Sequence, residues 1–108
     1  ETMTEFKTKG NKYAILSDML ELGKASKTEH SAIGIFASQI GIKNLYTYGK
    51  ESYNTFYNAK KIKNNFYFEN KDDLTRMLNK NIKANDVIYV KGSRGMKMED
   101  VVNGITKN

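Results

Sequence analysis

Cysteine, proline and tryptophan are all absent from this 108-residue chain, and histidine occurs once, as His30. Without cysteine there is no disulfide, no thiolate nucleophile and no zinc site of the cysteine type. A lone histidine argues against a multi-histidine metal site and against a histidine-based catalytic triad. Without proline the usual punctuation of linkers is missing, so no internal domain boundary is argued. No apolar run approaches the roughly 20 residues needed to span a bilayer, and no signal-peptide pattern opens the chain. The length suits a single domain with a real core but is small for a complete ATP-using enzyme. The expected setting is a soluble domain inside the cell.

Arginine is nearly absent too. The formal net charge is +6, yet sixteen of the eighteen basic residues are lysine, and only Arg76 and Arg94 are arginine. The lysines are scattered, as Lys7, Lys9 and Lys12, then Lys60, Lys61 and Lys63, then Lys91 and Lys97. Scatter of this kind reads as a solvated surface rather than a phosphate-tracking groove, so neither nucleic acid nor a membrane is the expected partner.

What is present is a strict alternation of strand and helix patterns. Met3 and Phe6, at i and i+3, read as the tail of a helix ending near Thr8. Tyr13 to Ser17 is a short apolar strand, followed by a loop from Asp18 to Gly23. Ser26 and Glu29 have capping-box spacing, and the helix they open aligns His30, Ile33, Ala37 and Ile40 before ending at Gly41. Leu45 to Tyr48 is a second strand ending in Gly49, and Tyr53, Phe56 and Tyr57 mark a helix. Phe66 to Phe68 is a third strand. Asn70 with Asp73 forms another helix cap, and Leu74, Met77 and Leu78 supply that helix's inner face. Val87 to Val90 is the fourth strand, and Met98, Val101, Val102 and Ile105 define the last helix.

This rhythm predicts right-handed βαβ crossovers and a three-layer α/β/α domain whose mainly parallel sheet of about four strands is covered on both faces. A strand order of 3-2-1-4 is the one expected, and it would make the first and fourth strands neighbours. The tyrosines and phenylalanines between Tyr46 and Phe68 offer base-stacking platforms, but their periodicity favours core packing.

Parallel sheets of this kind bind ligands beyond the carboxyl ends of their strands, where the strand order reverses. Two loops are expected there, one beginning at Asp18 and the other at Lys91-Gly92-Ser93-Arg94-Gly95. The second reads as a strand running through a glycine-bracketed turn straight into a helix. That layout leaves free N–H groups and two cations near one point, which suits a phosphate or carboxylate. Asp18 would accept hydrogen bonds from a ribose hydroxyl or a substrate amine across the crevice, and the reading is of a binding site rather than a catalytic centre.

Three blocks carry a further resemblance. Ala14-Ile15-Leu16-Ser17-Asp18-Met19-Leu20-Glu21-Leu22-Gly23, then Ser26, His30 and Ile33-Gly34, then Val90-Lys91-Gly92-Ser93-Arg94-Gly95-Met96-Lys97-Met98-Glu99 resemble the C-terminal domain of the Mur ligases. The similarity is to the branch that joins D-alanyl-D-alanine to UDP-N-acetylmuramoyl-tripeptide. It covers nearly the whole chain, and the two outer blocks lie about 70 residues apart as in that branch.

The resemblance implies that residues 1–108 form one Rossmann-like domain of a cytoplasmic three-domain enzyme, with the first helix truncated. The other two domains of such an enzyme would hold the UDP-sugar and, with Mg²⁺, most of the ATP. ATP would convert the tripeptide's terminal carboxylate into an acyl phosphate, which the dipeptide amine attacks as phosphate leaves. The C-terminal domain would swing over the central ATPase domain, contact nucleotide and dipeptide, and keep water from the intermediate. On its own it is expected to be inactive.

Two departures from the family pattern stand out. The chain has no phosphate loop, no Mg²⁺-binding acidic set and no Asp-x-Tyr-Asn-Ala-Asn-Pro segment, so a fragment is expected. Ser17 also replaces the glycine usual before Asp-Met.

Each candidate has a plainer alternative. Arg94 recognises an anion through its bidentate fork, or pairs with Glu99. Lys91 joins it, or is a solvated edge charge. Ser93 contacts ligand, caps the last helix, or does both. By resemblance Asp18 meets the nucleotide's ribose; otherwise it caps its own loop. Glu21 faces solvent. His30 matches a family histidine, or is a packing or capping residue. Two functions remain open: the accessory domain of an ATP-dependent amide ligase, or a stand-alone anion- or nucleotide-binding module, with an RNA-binding variant of the latter.

Overall fold

The computed structural model describes residues 10–20, 22–83, 85–92 and 94–106, without the side chains of Arg94, Val102, Ile105 and Thr106. The helix expected near Met3 and Phe6, the exposure of Glu21 and the roles of Ser93 lie outside the described residues.

Four strands form one parallel sheet: β1 (Lys12–Ser17), β2 (Asn44–Tyr48), β3 (Asn64–Phe68) and β4 (Val87–Lys91), in the order β3-β2-β1-β4. The order matches the expectation. Four helices connect and follow them: α1 (Ser26–Gln39), α2 (Tyr53–Tyr57), α3 (Lys71–Asn81) and α4 (Glu99–Thr106).

Side-chain alternation along the strands creates two cores. Tyr13 and Ile15 of β1 join Tyr46, Leu74, Leu78, Met98 and Val101 on the face covered by α3 and α4. Ala14 and Leu16 join Ala37, Ile42, Leu45, Ala59 and Ile62 on the face of α1 and α2. Because β1 is central it is apolar on both faces, which is why its sequence reads as a continuous apolar run. Burial of each large side chain contributes roughly 1.5–3 kcal/mol. Leu74, Met77 and Leu78 pack as anticipated, and the Asn70 side chain accepts from the Asp72 and Asp73 N–H groups, capping α3. Between α1 and α2, a Cβ on Gly34 would collide with the Thr55 carbonyl oxygen, so the bare Cα there sets how closely the two helices approach.

Two local expectations are corrected. Ser26 and Glu29 do not form a capping box. The chain enters α1 through a 3-10 turn at Gly23–Ala25, so Ser26 is already helical. Its hydroxyl instead donates to Glu51 Oε1 at 2.5 Å. The aromatic segment is only partly core. Tyr46 is 1% exposed and Phe66 and Phe68 pack against it, whereas Tyr53 and Tyr57 are about half exposed. The helix that carries them is five residues long, too short to bury both of its sides.

Candidate functional site

Because β1 and β4 are neighbours, the loops leaving them share one rim at the carboxyl edge of the sheet. They touch: a Cβ on Gly95 would stand 2.7 Å from Leu20 Cδ1. Lower down, the Ser17 hydroxyl donates to the Lys91 carbonyl oxygen at 3.3 Å, and it fills the space where a Cβ on Gly92 would sit. Serine before Asp18 and glycine after Lys91 are therefore a matched pair, and the serine is accommodated by its neighbour's missing side chain.

The turn after β4 differs from the expected strand-turn-helix. A 3-10 turn at Arg94–Met96 and a left-handed Lys97, with φ of 51°, separate Gly95 from α4. Early N–H groups of α4 are already used, Asp100 N–H bonding the Lys97 carbonyl and Val101 N–H bonding that of Met98. Glu99 and Asp100 fill the helix's first turn. The Gly92–Gly95 turn therefore does not open α4 directly, and the Asp100 and Val101 N–H groups are engaged within the chain. The backbone of Arg94 sits on the rim, while its side chain, with the ion pair to Glu99 weighed above, lies outside the described residues.

Asp18 is buried, 5% exposed, and points along the sheet toward β2. Its Oδ1 accepts from Ser52 N–H at 2.7 Å and its Oδ2 from Glu51 N–H at 3.1 Å. Gly49, at φ of +113°, leaves room for the carboxylate, since a Cβ there would lie 2.5 Å from Oδ1. The register explains the contact: Ser17 pairs with Tyr48, so the residues that follow each meet. Asp18 braces the loop after β2, a role that the choice between ribose contact and a self-capping turn did not include. Among the described residues these two N–H groups use two of the carboxylate's four acceptor sites.

His30 is 1% exposed, and backbone engages both ring nitrogens. Nδ1 lies 2.8 Å from the Ser26 carbonyl oxygen, which only accepts, so Nδ1 carries the proton. Nε2 then accepts from Met19 N–H at 3.0 Å. The ring so bonded pins Met19 to α1.

Two concavities flank the rim. A groove of about 750 Å³ runs between α1 and β4, lined by Leu16, Met19, Ile33, Phe36, Tyr89, Lys91 and Gly92 among others. A smaller recess of about 400 Å³ is lined by Asp18, Tyr48, Gly49, Lys50, Tyr67, Glu69 and Met96. Asp18 and Lys91 therefore share a rim but line different cavities. Burial pushes the Tyr67 phenol up from its usual value, and the nearby Glu69 and Asp18 carboxylates push the same way.

Lys71, Glu51 and Glu69 were not singled out in the sequence. Lys71 Nζ donates to the carbonyl oxygens of Met96 and Lys97, each at 3.2 Å, and to Asp100 Oδ2 at 2.8 Å. The hydrogen bond and charge of Lys71 hold the Asp100 carboxyl below its usual 3.8. The folded form thus favours the carboxylate, and that contribution is lost only as pH falls through the lowered value. No group of three or more His, Cys, Asp or Glu side chains among the described residues is placed to hold a metal ion, so these residues do not fit an Mg²⁺ site. Among the described residues no helix is long and apolar enough to cross a membrane.

No family profile matches the chain. It is 34% identical over 103 residues to the UDP-N-acetylmuramoyl-tripeptide–D-alanyl-D-alanine ligase of Bacillus subtilis, covering 92% of this chain and 22% of that one. The enzyme of the same name from Buchnera aphidicola is 37% identical over 101 residues, covering 91% and 21%. The chain thus spans about a fifth of the length of these curated relatives. Among solved structures it is similar to a MurF ligase from Thermotoga maritima in complex with ADP, with TM-score 0.77, 25% identity and coverage of 93% of this chain and 22% of that one. MurF from Acinetobacter baumannii shares the fold at TM-score 0.83 and 18% identity, over 98% of this chain and 24% of that one.

Proposed function

We propose that the chain is the C-terminal domain of a MurF ligase and serves, as one domain of a cytoplasmic enzyme, ATP-dependent addition of D-alanyl-D-alanine to UDP-N-acetylmuramoyl-tripeptide. In this reading the domain closes over the central ATPase domain and brings its rim to the reacting groups. The contact between Leu20 and Gly95 is the observation that supports it, because one closure then delivers both loops to the same reacting centre.

The roles divide by chemistry. Arg94 and Lys91 bind an anion, either the dipeptide carboxylate or the nucleotide phosphates, while Gly92, Ser93 and Gly95 let backbone approach it closely. Asp18 uses its remaining acceptor capacity on a ribose hydroxyl in the recess it lines with Tyr48, Tyr67 and Glu69. His30 touches no ligand and holds Met19 in place. ATP and Mg²⁺ are held mainly by the central domain, which supplies the phosphoryl chemistry. This domain contributes orientation of the attacking amine and exclusion of water from a hydrolysable intermediate.

Two assays test the proposal. The 108-residue chain alone is expected to give no amide formation from the tripeptide, dipeptide and ATP. A ligase of this family whose own C-terminal domain is replaced by this chain should form amide, whereas the same enzyme without the domain should not. Turnover by the isolated chain, or full activity without the domain, would contradict the assignment.

A further inference from the structure

Resting on the reading of the rim given above, we propose that Lys71 is a positioning residue that sets the place of the loop between β4 and α4. The left-handed turn at Lys97 breaks the passage from the 3-10 turn into α4, and the Lys97 carbonyl, which accepts the Asp100 N–H, faces the same ammonium as the Met96 carbonyl. Lys71 Nζ donates to both, and it completes its set of three donors on Asp100 Oδ2. One ammonium therefore holds both ends of the kink, and its side chain is only 23% exposed.

The tether starts from a firm base. Lys71 opens α3 directly after Asn70, whose side chain caps that helix, and Leu74 and Leu78 anchor the same helix in the core. Glu69 and Met96, beside the two ends of the tether, both line the polar recess. The loop that carries Gly92 to Gly95 is thus fixed from the opposite edge of the sheet by a residue outside both outer sequence blocks.

The test combines Lys71→Met, which keeps the aliphatic stem and removes the donors, with Lys71→Arg, which restores charge. In this chain, hydrogen exchange at the Asp100 and Val101 amides should speed up about tenfold in Lys71→Met, as expected for loss of charge-assisted bonds. The Ile82 amide, bonded to Leu78 at the end of α3, should not change. In the chimeric ligase carrying this domain, KM for D-alanyl-D-alanine or for ATP should rise about tenfold with kcat held within about threefold, and Lys71→Arg should recover most of it.

Unchanged exchange at Asp100 and Val101 would overturn the tether whatever the domain's function. Faster exchange with unchanged KM, while Arg94→Ala impairs ligation, would overturn the positioning role. Faster exchange with both variants silent in ligation would place the failure in the reading of the rim, and the positioning role falls with it.

Discussion

Replacing Asp18 by alanine should cost the domain roughly 3–5 kcal/mol. Its carboxylate takes two backbone N–H groups, those of Glu51 and Ser52. Hydrogen bonds to a charged acceptor contribute about 1.5–3 kcal/mol each, and a buried donor left unpaired bears the full desolvation cost. Asp18 is 5% exposed and Ser52 fully buried, so water is poorly placed to substitute. Asp18→Asn should lose about half as much, because one amide oxygen still accepts while the amide nitrogen faces an N–H. With a urea m-value of about 1–3 kcal/mol/M for a small domain, the alanine variant's midpoint should drop by about 2 M. A midpoint within about 0.3 M of the parent chain would mean that the loop after β2 holds itself. This variant also constrains how activity data are read, since loss of ligation in Asp18→Ala would follow from the fold alone.

Arg94→Ala, in a ligase carrying this domain, should lower kcat/KM about 100-fold with the fold retained. A charged contact to a ligand anion is typically worth about 2–5 kcal/mol when one partner is truncated, and 100-fold corresponds to about 2.7 kcal/mol. Lysine at the same position should recover only part, because an ammonium lacks the bidentate fork. Lys60→Ala is the matched control, since Lys60 sits over the Tyr57 ring, away from the rim. Unchanged kcat/KM for both ATP and D-alanyl-D-alanine would remove Arg94 from the site.

The sequence spoke most clearly where local pattern and burial coincide. Tyr13 to Leu16 is a continuous core run because β1 is covered on both sides, and Leu74 with Leu78 repeats at helical spacing because α3 buries one face. The parallel sheet followed from the alternation of elements and the handedness of crossovers, whereas the order 3-2-1-4, which the fold has, does not follow from them alone. Given that order the rim was legible: strands that flank the reversal of order bring their loops together.

Other features were hidden because they depend on contacts between distant segments. Ser26 looked like a cap until the 3-10 turn before it placed the residue inside the helix. Asp18 looked free to meet a ligand, and only the register of β1 against β2 shows that Gly49, Glu51 and Ser52 surround it. Lys71 resembles any solvated lysine, and no spacing rule connects it with carbonyls 25 and 26 residues away. Tyr53 and Tyr57 carry helical spacing but sit on a helix too short to hide them, so periodicity alone overstated their burial.

The most direct measurement is a structure of a full-length ligase carrying this domain, with a non-hydrolysable ATP analogue and D-alanyl-D-alanine bound. The rim joining Leu20 to Gly95 should face the central domain, with the Arg94 or Lys91 side chain about 3 Å from a ligand carboxylate or phosphate oxygen. A closed complex in which both ligands are enclosed by the other domains, with this rim turned to solvent, would contradict the account.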